Sequence, residues 1–177
     1  MPKNLAKRIA GGAVLCAVLC LGAGGARADW LSDLVGNDPG RLAVGGGVSD
    51  FMDNTKYWQG RAEYDFAHGY YFVHPMIGIY ATNKKSGFAY AGFNFDLHIT
   101  QHLVLVPNAA IGYYHQGDGK DLGQSFNFKT GMRLDYRFPD ASRIGVAFDH
   151  VSNAGMSSKN DGENNVVIMF SIPIGSL

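Results

Sequence analysis

Apolar and charged side chains alternate one by one along several short stretches of this chain. The alternation is clearest where Trp58, Ala62 and Tyr64 interleave with Arg61 and Glu63. Successive side chains of a β-strand point to opposite faces, so the pattern predicts strands with one apolar face and one charged face. A helical stripe would instead repeat at about 3.6 residues.

Eight stretches of this kind are separated by turn residues. They cover residues 41–51, 57–66, 70–82, 87–100, 103–116, 126–138, 142–153 and 164–174. An even number of strands of about ten residues suits an antiparallel barrel that crosses a membrane. The sequence therefore predicts an all-β fold, an eight-stranded antiparallel transmembrane β-barrel.

The alternation alone leaves open which face points inward. A periplasmic, lipocalin-like carrier would turn its apolar face inward, whereas a membrane barrel turns that face towards lipid. Aromatic residues near the ends of the predicted strands favour the membrane barrel, as do charged side chains numerous enough to pair inside a narrow lumen.

The connections between the predicted strands differ in length. Short turns lie at residues 67–69, 101–102 and 139–141. Outer-membrane barrels have short turns on the periplasmic side and longer loops outside the cell. We therefore expect the seventh predicted strand, 142–153, to end near the cell exterior.

The first 28 residues have the features of a secretory signal peptide. Three basic residues precede an apolar run over residues 9–23, and Ala26 and Ala28 offer small side chains before a cleavage point. We expect export with removal of residues 1–28, and a barrel domain over residues 29–177 in the outer membrane of a Gram-negative cell.

The rest of the composition excludes several functions. Cys16 and Cys20 lie in the predicted signal peptide, so the mature chain would contain no disulfide. It would keep 11 basic against 15 acidic residues, with no basic patch for nucleic acid. The histidines lack metal-binding spacing, so we expect no metal site and no cofactor. Nothing in the sequence specifies an oligomeric state.

His150 and Ser152 share the apolar face of the seventh predicted strand with Val146 and Phe148. Two polar side chains facing lipid are costly unless they are partnered or lie near the interface. Residues i and i+2 of a strand project the same way, roughly 6 to 7 Å apart, so a neutral histidine can take the serine proton. The pattern also fits two interfacial polar residues without any chemistry.

The residues around this pair resemble those of one family. The string His150-Val151-Ser152-Asn153-Ala154-Gly155, followed by Asn160-Asp161-Gly162, resembles the lipid A 3-O-deacylase family known as PagL. The resemblance implies a serine esterase that hydrolyses the 3-O-linked 3-hydroxyacyl chain of lipid A, in lipopolysaccharide of the outer leaflet.

The same resemblance assigns roles to individual residues. His150 would be the general base and Ser152 the nucleophile. Asn153 and Asn160 match family positions near the oxyanion, which their side-chain amides, or the backbone N–H of Gly155, could stabilise.

The third member of the family's triad is a glutamate fourteen residues after the histidine, where this chain has Asn164. In a regular strand Asn164 shares the apolar face, whereas Glu163 points the other way. Asn164 could orient His150 by a hydrogen bond, or a bulge could turn Glu163 outward as the acid. We favour Asn164.

Other functions stay open at this point. A structural or adhesive outer-membrane barrel with a degenerate site, without enzymatic activity, would show the same alternation. A palmitoyl-transferring barrel is a further alternative, but no residue in the sequence specifically indicates it.

Overall fold

The computed structural model describes residues 39–67 and 73–174. The predicted signal peptide and residues 70–72 of the third predicted strand lie outside these ranges. Within them, no helix is long and apolar enough to cross a membrane. The strands are β1 Arg41–Ser49, β2 Tyr57–Asp65, β3 Val73–Thr82, β4 Gly87–Phe95, β5 Leu97–His98, β6 Leu103–His115, β7 Phe126–Arg137, β8 Arg143–Ser152 and β9 Glu163–Pro173.

The strands form a closed antiparallel sheet. Strand order is β4-β3-β2-β1-β9-β8-β7-β6-β5, and β4 also pairs with β6, which closes the ring. The two-residue β5 follows β4 after Asp96 and pairs with the same neighbour, β6. Eight long strands of the described residues therefore surround the lumen, and the predicted eight-stranded antiparallel barrel is confirmed.

The fourth predicted strand differs from the observed one because it is divided at Asp96. The Asp96 side chain is buried, and its carboxylate accepts a hydrogen bond from Arg143 Nη2 at 2.7 Å. The predicted segment 87–100 therefore corresponds to β4 and β5 together.

The outer face of the barrel is apolar. Trp58, Ile79 and Ile168 are 70%, 56% and 60% exposed, and each lies on the face that points away from the lumen. A surface of this kind is stable in hydrocarbon and unfavourable in water. The barrel therefore presents its apolar face to a membrane.

The interior of the barrel is charged. Arg133 pairs with Glu63 at 3.0 Å and with Asp135 at 2.9 Å, all three being buried. Asp149 pairs with Arg61 and, at 3.0 Å, with Lys129. Buried charges need such partners. The alternative of a carrier with an inward apolar face is wrong, because the inward face holds these ion pairs.

The loop over residues 116–125 packs against one end of the barrel. Leu122 in this loop is 1% exposed and packs with Tyr80, Phe88 and Val151 in the upper interior. A buried leucine of this kind holds its loop against the barrel by removing apolar surface from water.

Ion pairs tie the same loop to the rim. Lys120 Nζ contacts Asp50 at 2.8 Å and Asp53 at 3.1 Å. Burial lowers the pKa of Lys120, but its hydrogen bonds to these two carboxylates outweigh burial and raise the pKa overall. The end of the barrel beside Ser152 is thus fixed by contacts between loops.

Candidate active site

His150 and Ser152 lie at the end of β8 on the outer face of the barrel. Asp149 and Val151 beside them are fully buried, whereas His150 and Ser152 are half-buried and share the outward side with Phe148. The two-residue repeat of the strand places both polar side chains on the lipid-facing surface, next to the loop over residues 153–162.

Asn164 is the partner of His150. The two residues are directly opposite in the β8–β9 pairing, and Asn164 Oδ1 lies 2.9 Å from His150 Nδ1. An amide oxygen accepts, so Nδ1 carries the ring proton and donates it to Asn164. Nε2 then holds the lone pair, which is the tautomer that a general base needs.

Glu163 is not in this site. It is fully buried, lies opposite Val151, and accepts hydrogen bonds from the hydroxyls of Tyr57 and, at 2.9 Å, Tyr80. The β8–β9 register continues from Asn164 to Glu163 without a bulge. The alternative in which a bulge turns Glu163 towards His150 is therefore wrong. The strand is regular, and the alternation of its side chains places this carboxylate in the lumen.

Asn153 braces the loop that follows Ser152. It is fully buried, and its Nδ2 donates to the backbone oxygens of Leu122 at 2.7 Å and Lys159 at 2.6 Å. Its Oδ1 accepts the backbone N–H of Gly155 at 2.9 Å. The Asn153 amide and the Gly155 N–H, both expected near the oxyanion, are thus used in contacts within this loop and with the loop over residues 116–125, which corrects those two expectations.

Asn160 is placed differently from Asn153. Its side chain is exposed, and Oδ1 accepts the backbone N–H of Asn153 at 3.1 Å. This bond assigns Oδ1 as the acceptor, so the Nδ2 group is the donor end of the amide and is not used in that bond. Of the three residues expected near the oxyanion, Asn160 is the one whose donor is not used by these loop contacts.

Within the described ranges, no group of three or more histidine, cysteine, aspartate or glutamate side chains could hold a metal ion. The arrangement at this end of β8 consists of a hydroxyl, an imidazole of defined tautomer and two side-chain amides. Such groups can perform acyl transfer by nucleophilic attack and proton transfer.

Comparison with known proteins bears on this arrangement. The model of the family described as "Lipid A 3-O-deacylase (PagL)" matches residues 24–173. The chain belongs to this family. The resemblance seen in the residues around His150 is therefore confirmed over most of the chain.

One curated PagL relative is the lipid A deacylase PagL of Pseudomonas aeruginosa. It is 28% identical over 118 residues, which are 67% of this chain and 60% of the relative. The chain thus matches less than two thirds of the length of that curated PagL protein.

Solved structures agree with the fold. The crystal structure of the outer membrane enzyme PagL superposes with a TM-score of 0.57 at 19% identity, covering 76% of this chain and 99% of that one. A de novo designed transmembrane β-barrel superposes with a TM-score of 0.56 at 13% identity, covering 80% of this chain and 100% of the design. Both superpositions show that the barrel fold is similar.

Two neighbours of this PagL-family site were missed by the sequence analysis. Thr130 of β7 lies opposite His150 and is exposed on the same outward face. Phe51 donates its backbone N–H to Asn164 O at 3.0 Å and packs its ring on Phe148, with centroids 5.6 Å apart. Both depend on strand pairing, which the sequence pattern of a single strand does not specify.

Proposed function

We propose that this protein is a lipid A 3-O-deacylase, a serine esterase that removes the 3-O-linked 3-hydroxyacyl chain from lipid A. The observation that carries the proposal is the outward-facing His150, held by Asn164 through Nδ1, two residues before Ser152 on the lipid-facing side of the barrel. Family membership supports the choice of substrate.

The reaction begins with Ser152. Its Oγ attacks the ester carbonyl carbon while His150 Nε2 takes the hydroxyl proton. Side chains at i and i+2 start roughly 6 to 7 Å apart, a gap that an imidazole and a hydroxymethyl group close by rotation about their side-chain bonds. The tetrahedral intermediate expels the sugar 3-oxygen, which receives the proton from His150.

Hydrolysis of the acyl-enzyme completes the cycle. His150 removes a proton from water, the resulting hydroxide attacks the Ser152 ester, and the proton returns to Ser152 Oγ as the 3-hydroxy fatty acid leaves. The two steps conserve atoms and protons without a metal, nucleotide or redox partner.

Asn160 is the donor that we assign to the oxyanion. Its Oδ1 accepts the Asn153 N–H, which leaves Nδ2 as a donor not used in that bond. A preorganised amide donor at this position would contribute roughly a hundredfold to a thousandfold in kcat.

The site lies at the end of the barrel with the longer loops, which we assign to the outer leaflet. A signal peptide over residues 1–28, removed on export, would deliver the chain to the outer membrane. The reacting groups then meet lipid A directly, since they project from the barrel at the rim.

The experiment is replacement of Ser152 by alanine in the full-length chain, followed by mass spectrometry of lipid A. Cells with the unaltered protein should lose one 3-hydroxyacyl chain per lipid A, and cells with Ser152→Ala should not. Ser158→Ala changes an exposed serine in the loop over residues 153–162, which follows Ser152. It is the matched control and should retain activity.

Folding is checked by the mobility shift of the barrel on boiling. Lipid A that is unchanged by both the unaltered protein and Ser152→Ala, with both barrels folded, would favour the non-enzymatic barrel and refute the proposal. Equal deacylation by both would show that Ser152 is not the nucleophile.

A further inference from the structure

Gly162 lies against the ring of His150. A Cβ built on Gly162 would stand 2.5 Å from His150 Cε1, 2.9 Å from Nε2 and 3.6 Å from Nδ1. Real Cβ atoms essentially never approach other atoms within 3.0 Å. The imidazole therefore occupies the volume that any other residue at position 162 would need for its side chain.

The strand register explains why this volume matters. His150 lies opposite Asn164 and Val151 lies opposite Glu163, where the β8–β9 pairing ends, so Gly162 is the first residue before β9, at the end of the strand pair where Ser152 lies. The ring of His150 lies beside Asn164 and also against Gly162. It can do so because Gly162 has no side chain.

Two contacts then define the orientation of the ring. Asn164 holds Nδ1 at 2.9 Å, and the Cβ position of Gly162 lies nearest Cε1, between the two nitrogens, with Nε2 closer than Nδ1. Nε2 is the nitrogen that receives the Ser152 proton in the proposed reaction. Gly162 therefore leaves room for the Cε1–Nε2 side of the ring, which carries the nitrogen that must meet the serine.

We propose that Gly162 is a positioning residue for His150, and that its missing side chain allows Nε2 to reach the level of the Ser152 hydroxyl. This inference rests on the proposed function, because it concerns the proton transfer between these two residues. A side chain at position 162 displaces the ring while leaving the Asn164 amide and the lipid-facing surface of β7 unchanged.

The test replaces Gly162 by alanine in the full-length chain, refolded in detergent with lipid A as substrate. Displacing a reacting group by about 1 Å costs roughly a hundredfold in rate. We expect kcat to fall about a hundredfold while KM changes less than about threefold, because the substrate surface is intact.

Covalent labelling of Ser152 by a fluorophosphonate provides a second measurement. The serine oxygen attacks phosphorus, fluoride leaves, and His150 takes the serine proton, so labelling needs the same proton transfer without the lipid-binding surface. Labelling of Gly162→Ala should slow by the same factor as kcat. Labelling at the unaltered rate would overturn the inference.

Backbone strain is the competing explanation, since Gly162 has φ of +65°. Asparagine tolerates this left-handed conformation better than other residues but brings the same Cβ. Gly162→Asn should therefore be as slow as Gly162→Ala. Recovery of activity in the asparagine variant would attribute the loss to strain and refute the role of the ring contact.

The matched control is Gly60→Ala. Gly60 lies on the outward face of β2, and a Cβ built there meets nothing within 4 Å, so this variant should keep full activity. The mobility shift on boiling reports folding of each variant, and Gly162→Asn carries the test if Gly162→Ala fails to fold.

Failure of the inference is distinguishable from failure of the proposed function. If the unaltered protein neither deacylates lipid A nor labels at Ser152, the esterase proposal itself fails. If the unaltered protein does both and Gly162→Ala keeps its kcat, only the positioning role is refuted.

Discussion

Replacing Asn164 by glutamate should accelerate the proposed reaction. Asn164 Oδ1 accepts the Nδ1 proton of His150 and so selects the useful tautomer, but a neutral amide does not stabilise the positive imidazolium formed when Nε2 takes a proton. A carboxylate at the same place would accept the same hydrogen bond and add an opposite charge.

The size of the gain follows from the geometry. The present contact is 2.9 Å, and a glutamate would bring its charge to about 4 Å from the imidazolium, where two unit charges interact by about 4 kcal/mol at an effective dielectric constant of 20 and about 1 kcal/mol in water. His150 is half-buried, so about 1 to 3 kcal/mol is appropriate, which corresponds to roughly a 5- to 160-fold increase in kcat.

The assay is release of the 3-hydroxy fatty acid from purified lipid A by folded protein in detergent. Asn164→Gln is the matched control, because glutamine has the length of glutamate without its charge. Asn164→Glu should exceed both the glutamine variant and the unaltered protein. Equal rates for the glutamate and glutamine variants, with both barrels folded, would refute the claim that residue 164 acts electrostatically through His150.

Four further outcomes are expected. Glu163→Gln should change kcat by less than about threefold, since this side chain lies inside the barrel, and the same fatty-acid assay checks it. Asn160→Asp keeps the oxygen that braces the loop but loses the Nδ2 donor, so kcat should fall roughly a hundredfold, as it should in Asn160→Ala. Leu122→Ala should lower the free energy of unfolding by about 2 to 4 kcal/mol, measured by urea titration in detergent, because this leucine is buried. The hydrogen bond from Lys159 lowers the pKa of Asp121 below its usual 3.8, so this exposed tie between loops is present above pH 3.8 and is lost as the pH falls through the lowered pKa; hydrogen exchange of the loop amides should rise slightly over that range, and Asp121→Asn should remove this pH dependence.

The sequence correctly predicted which face of the barrel the side chains of a single strand point to. The two-residue repeat placed His150 and Ser152 on one face, and it put Asn164 outward and Glu163 inward. These statements need only the alternation of side chains along one strand and a regular backbone. They therefore agree with the structure wherever the strand is unbroken.

Contacts between distant parts of the chain were not readable in this way. Asn153 was expected near the oxyanion, but its amide is used by Leu122, which comes from another loop 31 residues away. Glu163 is held by a tyrosine 106 residues earlier in the chain. The contact of Gly162 with the imidazole required the pairing of β8 with β9. Such partners are specified by closure of the barrel, which a local pattern does not contain.

The ion pairs that fill the lumen determine how the proposed enzyme is approached. Arg133 of β7 reaches across to Glu63 and Asp65 of β2, so the interior is bridged from wall to wall. Substrate must arrive by lateral diffusion within the bilayer, and the concentration that governs turnover is the number of lipid molecules per unit of membrane area. An inhibitor would act in proportion to its partitioning into the membrane, and mixing inert lipid into the bilayer would slow the enzyme by dilution in two dimensions.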